Sequence, residues 1–370
     1  MEILKRKQVW QHDRWMIIAS LVVCLSSFSL CIAQTHISNY RPGVTPEGAV
    51  YFLPKTALRI SVLVEKSVYQ PGDFAAYAQR YLRVNDVSQE PATSFRVVGI
   101  TQTAMPVPDT TKVYAVRFDA RTVASRISLA DDGRLLALNV DNVADVETPA
   151  PFVPAVQPPR PDPKKYMNEE ILSCGSLAKM AELTAHEISD LRENRSLLIK
   201  GQADFMPQDG AQMKIMLQEL DRQDQALSSL FLGTTQRDTT EHILWVTPDG
   251  AFPRQVFFRL SQVHGLVEPD DLSGAPYYVS IDNITQLPAA TPAPKKQKPQ
   301  EAGIYANVPG RLRSTIFKGI DAVLSEEFPA PQFGETLLLS AGLFNKRYTT
   351  RLRLNALTGA VERLDADQPK

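Results

Sequence analysis

The chain has 370 residues, of which 44% are hydrophobic and 22% charged, with a formal net charge of −1. That composition is ordinary for globular proteins and leaves room for more than one core, so a wholly disordered chain is excluded. A near-neutral balance gives no broadly basic surface, and nucleic acid is not expected as a partner.

Lys5, Arg6, Lys7 and Arg14 precede an apolar run from Trp15 to Ile32, and Cys31-Ile32-Ala33 offers a peptidase site. Residues 1–33 are therefore expected to form a secretory signal peptide, with Gln34 as the new terminus. If the leader stays uncleaved, it is the one expected membrane contact, because the run approaches bilayer-spanning length. Val23 and Leu30 are too large to precede a lipid-modified cysteine at Cys24 or Cys31. Cleavage removes four basic and two acidic residues, which leaves a charge of −3 and Cys174 as the remaining cysteine. An internal disulfide is then impossible.

Residues 34–48 hold Pro42, Gly43, Pro46 and Gly48 without a period and read as an irregular lead-in. An N-terminal α+β domain is expected over 49–146. Val50, Phe52, Leu58, Ile60, Val62 and Val64 form a β-rich run interrupted near Pro54, and Tyr69-Gln70-Pro71-Gly72-Asp73 turns the chain. Asp73 is placed to cap a short helix carrying Phe74, Tyr77, Ala78, Tyr81 and Leu82. Strands follow at 95–103, 113–118 and 127–129, and Asp131-Asp132-Gly133 makes a hairpin into 134–140.

Seven prolines between Glu147 and Lys164 mark 147–165 as a linker, read as a spacer in preference to a docking motif. Residues 166–286 are expected to hold an amphipathic helical pair and a β-rich unit. The first helix starts at Asn168 and carries Leu177, Ala181, Thr184, Ile188 and Leu191 on one face. Asp209 caps the second, with Gln212 three residues on, Met213, Met216, Leu217, Leu220, Leu227 and Phe231 as its stripe, and Gly233 at its end. An antiparallel pair lying on a sheet would bury both stripes. Strands are expected at 243–246, 255–260 and 277–281. A second linker, 287–301, carries Lys295, Lys296 and Lys298. The C-terminal β-rich unit, 302–370, has strands at 303–308, 311–317, 335–339, 349–354 and 360–364 and a frayed tail from Asp365. The fold class expected is α+β, mainly β, with two or three β-rich units around the central helical pair.

The phrases Tyr51-Phe52-Leu53-Pro54-Lys55-Thr56, Tyr69-Gln70-Pro71-Gly72-Asp73-Phe74, Leu191-Arg192-Glu193-Asn194-Arg195 and Asp204-Phe205-Met206-Pro207 carry a resemblance that extends to Asp271-Leu272-Ser273-Gly274. With them the chain resembles a family of exported Bacteroidota proteins known as domain of unknown function 4831. The resemblance brings no reaction or ligand, and it implies an envelope location, periplasmic or outer-membrane-associated, in a Gram-negative cell.

Signatures of chemistry are scarce. His186-Glu187 and Glu241-His242 lack the HExxH spacing, since Asp190 stands where the second histidine would be, and adjacent helical residues point about 100° apart. Ser173-Cys174-Gly175-Ser176 is not a nucleophile elbow, and the acidic turns at Asp131-Asp132, Asp249 and Asp270-Asp271 lack calcium-loop spacing. No catalytic residue, cofactor or metal ligand is assigned. Tyr277, Tyr278 and Trp245 are the candidate binding residues, as aromatic faces for a glycan, although adjacent strand tyrosines point opposite ways. The expected function is a non-enzymatic module that binds an envelope protein or surface polymer. A polymer hydrolase and a structural subunit of an envelope assembly are the alternatives.

Overall fold

Two neighbouring strands carry the architecture. In β1 (Gly48–Gln70), Leu58, Ile60, Val62 and Val64 alternate into the core at 0–3% exposure. Each such side chain contributes about 1.5–3 kcal/mol over an exposed one. Its neighbour β2 (Ala92–Arg117) is a single strand where the sequence reading expects two. The computed structural model describes residues 48–117, 126–141, 143–157, 159–207, 209–286, 303–344 and 349–367. The expected leader, most of the lead-in, the Lys295–Lys298 linker and the last three residues lie outside the described residues.

The other elements, in chain order, are α1 (Ala78–Leu82), β3 (Ile127–Leu129), β4 (Leu135–Leu138), α2 (Glu169–Leu172), α3 (Leu177–Lys200) and α4 (Gly210–Leu232). Strands β5 (Thr234–Val246), β6 (Phe252–Ser261), β7 (Gly265–Val267), β8 (Ala275–Asn283), β9 (Gly303–Lys318), β10 (Asp321–Ser340), β11 (Thr349–Leu354) and β12 (Val361–Asp367) follow. They form three antiparallel sheets, ordered β2-β1-β5, β10-β9-β8-β6-β7 and β12-β11-β4-β3. The chain is thus α+β and mainly β. Strands from the three expected segments share sheets: β1 pairs with β5, β8 with β9, and β4 with β11.

The first two sheets face each other over a core that joins Leu58, Ile60 and Val62 of β1 to Phe258, Tyr277, Val279, Ile281, Leu312 and Ile316. A second core gathers Tyr51 and Leu53 of β1, Ile304 and Ala306 of β9, and Leu352 and Leu354 of β11. β1 and β9 therefore run through both cores, and the ladders shift register where they pass between them. Pro54 does not interrupt β1. It lies opposite Pro108, beside a shift in which residues 109–112 of β2 have no partner. On β10, residues 331–334 bulge opposite Pro309. Phe52 N and the Thr56 backbone bond away from β2, so by alternation Pro54 faces Pro108 at a position where neither strand needs an N–H from the other. The β10 bulge also needs a glycine, because a Cβ on Gly334 would sit 1.9 Å from the Val308 carbonyl oxygen. Gln332, carried on this bulge, accepts from Thr56 N at 3.0 Å and donates to Thr56 O at 2.9 Å and Pro248 O at 3.1 Å.

The helical pair packs differently from expectation. Asn168 caps only the four-residue α2, accepting from Ile171 N, and Ser176 starts α3 afresh by accepting from Lys179 N. Cys174 consequently lies in the break between helices, its thiol directed to Glu170 O at 3.3 Å. Asp209 caps α4 through Gln212 N at 2.7 Å, and Gly233 ends it. Arg192–Asp224 at 3.0 Å and Arg195–Asp221 at 2.6 Å fix α3 and α4 antiparallel. Their buried faces meet Phe74, Ala78, Tyr77 and Tyr81, so the partner surface is the helical turn after β1, not a sheet. Phe74 precedes that turn, with no side-chain cap hydrogen bond from the expected Asp73.

Two segments expected to be loose are held. Asp365 to Asp367 complete β12 by pairing with Thr349 to Arg351 of β11. The proline-rich segment runs along the outer edge of β5. Phe152 N donates to Glu241 Oε2 at 2.9 Å, the Gln157 amide to Arg237 O, and the Arg160 guanidinium to Thr235 O. Glu241 Oε1 also accepts from Ser61 Oγ at 2.6 Å and from the buried Arg59 at 3.1 Å. The Ser61 hydroxyl, then the Phe152 N–H and Arg59, hold the Glu241 carboxyl below its ordinary value of 4.5. A depressed carboxyl stabilises the fold above its unfolded value and loses that contribution as pH falls through the folded one. Glu241→Gln is therefore expected to lower stability by about 2 kcal/mol at pH 7. In urea titrations the gap to wild type should close below the ordinary glutamate value; a pH-independent gap would contradict this latch.

Candidate binding face

The outer face of the five-stranded sheet brings half-buried aromatic rings and exposed cationic groups together. Tyr277 points inward, 3% exposed, and stacks on Phe258 with centroids 4.5 Å apart and planes at 12°; burial pushes its phenol up. Strand alternation then turns Tyr278 outward, where it stands in register with Phe317 of β9. From β6, the exposed Arg254 lays its guanidinium against both rings, 4.2 Å from the Tyr278 centroid and 4.6 Å from that of Phe317. Such contacts contribute about 0.5–2 kcal/mol each and hold the fork flat while its N–H edges stay wet. Among the described residues no carboxylate pairs with Arg254.

Beyond this row the face becomes polar in steps. Ser280 and Thr315, buried at 9% and 8%, lead to the exposed Ser325, with Thr315 Oγ1 and Ser325 Oγ 3.0 Å apart. Arg313 and Arg311 then share Glu327, at 2.7 Å and 3.0 Å, and Asp282 lies in register with Arg313. Hydrogen bonding from Arg313 holds the Glu327 carboxyl below the usual range. Three guanidiniums thus face two carboxylates, one of which already binds two of them. A sheet face with half-buried aromatic rings, the exposed Ser325 hydroxyl and a stacked arginine that has no carboxylate partner among the described residues is suited to an anionic, hydroxyl-bearing ligand.

Of the residues singled out by sequence, Tyr278 lies on this face and Tyr277 directly beneath it. Trp245 lies elsewhere: it stands opposite Arg59 on the outer face of the three-stranded sheet, 47% exposed. Arg254 and Phe317 went unrecognised. β6 breaks register twice in ten residues, between Phe252 and Gln255 and between Val256 and Phe258, so its alternation is scrambled. Phe317 read simply as the end of a strand.

Glu187, Asp249 and Asp271 have local partners. Glu187 accepts from Asn168 at 3.2 Å, Asp249 pairs with Lys55 at 2.7 Å, and Asp271 accepts from Ser273 N at 2.9 Å. Among the described residues, no group of three His, Cys, Asp or Glu is placed to hold a metal. A cavity of about 430 Å³ between α3 and α4 is lined by Arg192, Arg195, Asp221 and Asp224, which neutralise one another. Among the described residues no helix is long and apolar enough to cross a membrane.

Fold and face together define an α+β, mainly β chain with an arginine stacked on aromatic rings on one sheet face. The model of the family described as "Domain of unknown function (DUF4831)" matches residues 47–362, and the chain belongs to that family. No curated protein and no solved structure matches it.

Proposed function

We propose that this protein is a non-enzymatic binding module, exported to the envelope of a Gram-negative cell, that takes an anionic surface polymer on the outer face of the five-stranded sheet. The observation that carries the reading is Arg254, exposed, flattened on Tyr278 and Phe317 and without a carboxylate partner among the described residues. Bidentate hydrogen bonding from a guanidinium suits carboxylate or phosphate, and the exposed Ser325 hydroxyl on the same face suits a sugar hydroxyl. The basic, then apolar, N-terminal stretch supports export.

Migration through gels containing polygalacturonate or a neutral dextran tests the proposal. Polygalacturonate should retard the protein, and Arg254→Ala should weaken retardation about tenfold, the loss of one desolvated charged contact. Equal retardation of wild type and variant, or retardation by dextran alone, would remove this face from consideration.

A further inference from the structure

A second surface lies on the other sheet, and it rests on separate observations. β5 is an edge strand, paired to β1 without a register break from Leu58↔Val246 to Gln70↔Thr234. In an antiparallel ladder alternate residues aim both backbone groups at the neighbour or both away. The carbonyls of Thr235 and Arg237 meet the proline-rich segment, so they point away from β1, and by the same alternation so do the backbone groups of residues 239, 241, 243 and 245.

The proline-rich segment covers this edge without completing a ladder. Its prolines have no N–H, and among the described residues it reaches β5 through one amide, one glutamine side chain and one arginine side chain. Val153 and Val156 are 81% and 95% exposed, so it is not anchored by apolar burial. Toward the end of β5, past the Glu241 contact, the outward N–H and C=O of Ile243 and Trp245 meet no hydrogen-bond partner among the described residues. The side chains there are apolar and open, at 44% and 47% exposure. An edge with free backbone groups and alternate exposed apolar side chains is a template for strand addition.

We infer that the Glu241-to-Val246 edge of β5 accepts an extended segment of a partner polypeptide, apolar at alternate positions, and that the proline-rich segment is a displaceable cover held by Glu241. The cover runs antiparallel to β5, since residues 152, 157 and 160 meet 241, 237 and 235. A partner with free amides would form the ladder that the prolines forbid, and would bury Ile243 and Trp245.

The probe is a lysine-flanked peptide with an alternating valine–threonine core; its control carries two central prolines. Binding is read by anisotropy, and location by hydrogen exchange on the full chain. The first peptide alone should bind, protect residues 242–246 and free the Phe152 amide to exchange. Trp245→Pro and Ile243→Pro each remove an outward N–H that β1 does not use, so the free protein should melt as wild type while affinity falls at least about tenfold. Glu241→Gln, which loosens the cover, should strengthen binding and so does not depend on a proline variant folding. Equal binding of both peptides, or protection elsewhere, would overturn the inference. Protection of 242–246 without peptide, rising with protein concentration, would replace the partner segment by a second copy of the chain.

Discussion

Arg134→Met is expected to lower the free energy of unfolding by about 3 kcal/mol, because it leaves two carboxylates and a carbonyl around a site that no longer holds a charge. Arg134 is 4% exposed, and its guanidinium donates to Asp132 at 2.6 Å, Asp145 at 2.6 Å and Ala356 O at 2.9 Å. It ties the β3–β4 hairpin to the segment entering the proline-rich cover and to the turn between β11 and β12. The same hairpin bonds β1 through Phe52 N to Gly133 O at 3.0 Å. Methionine matches the length of the stem, so packing loss is small and the change reports on the charge. Urea unfolding with an unchanged slope checks it; a difference under about 1 kcal/mol would mean that water replaces the protein partners.

Phe231→Ala should have a larger effect, about 4 kcal/mol, but a local one. Phe231 is fully buried and lies 5.3 Å from Phe74, ring to ring, at the centre of the cluster that joins α4 to α3 and to the turn after β1. That cluster is distinct from the two strand-built cores. Hydrogen exchange in the variant is thus expected to lose protection across 177–232 while β8 and β9 keep theirs. Uniform loss throughout the chain would show that the helices and sheets unfold as one unit.

Much of this fold was legible where one physical signal acts alone. The alternation of Leu58 to Val64, the caps at Asp209 and Ser176 and the glycine after Phe231 are local, and all but Ser176 entered the sequence reading. The misread positions are those where a distant partner decides. Pro54 looks like a strand end until Pro108 is placed opposite it. The polar run Thr234 to Glu241 carries no β pattern, because its residues pair with β1 on one side and take the proline-rich segment on the other. That segment read as a spacer since composition records missing donors but not the Gln157 and Arg160 side chains that replace them. Likewise Tyr278 was visible as an aromatic, whereas Arg254 becomes meaningful only once two register shifts bring it beside Tyr278 and Phe317.

Arginine-selective dicarbonyl labelling, read peptide by peptide with and without saturating polygalacturonate, tests the binding face most directly. The polymer should slow modification of Arg254 several-fold and leave Arg192 on the helical pair unchanged. Unaltered labelling of Arg254 under conditions where the polymer is bound would contradict the account, and the arginines that were protected instead would mark the true site.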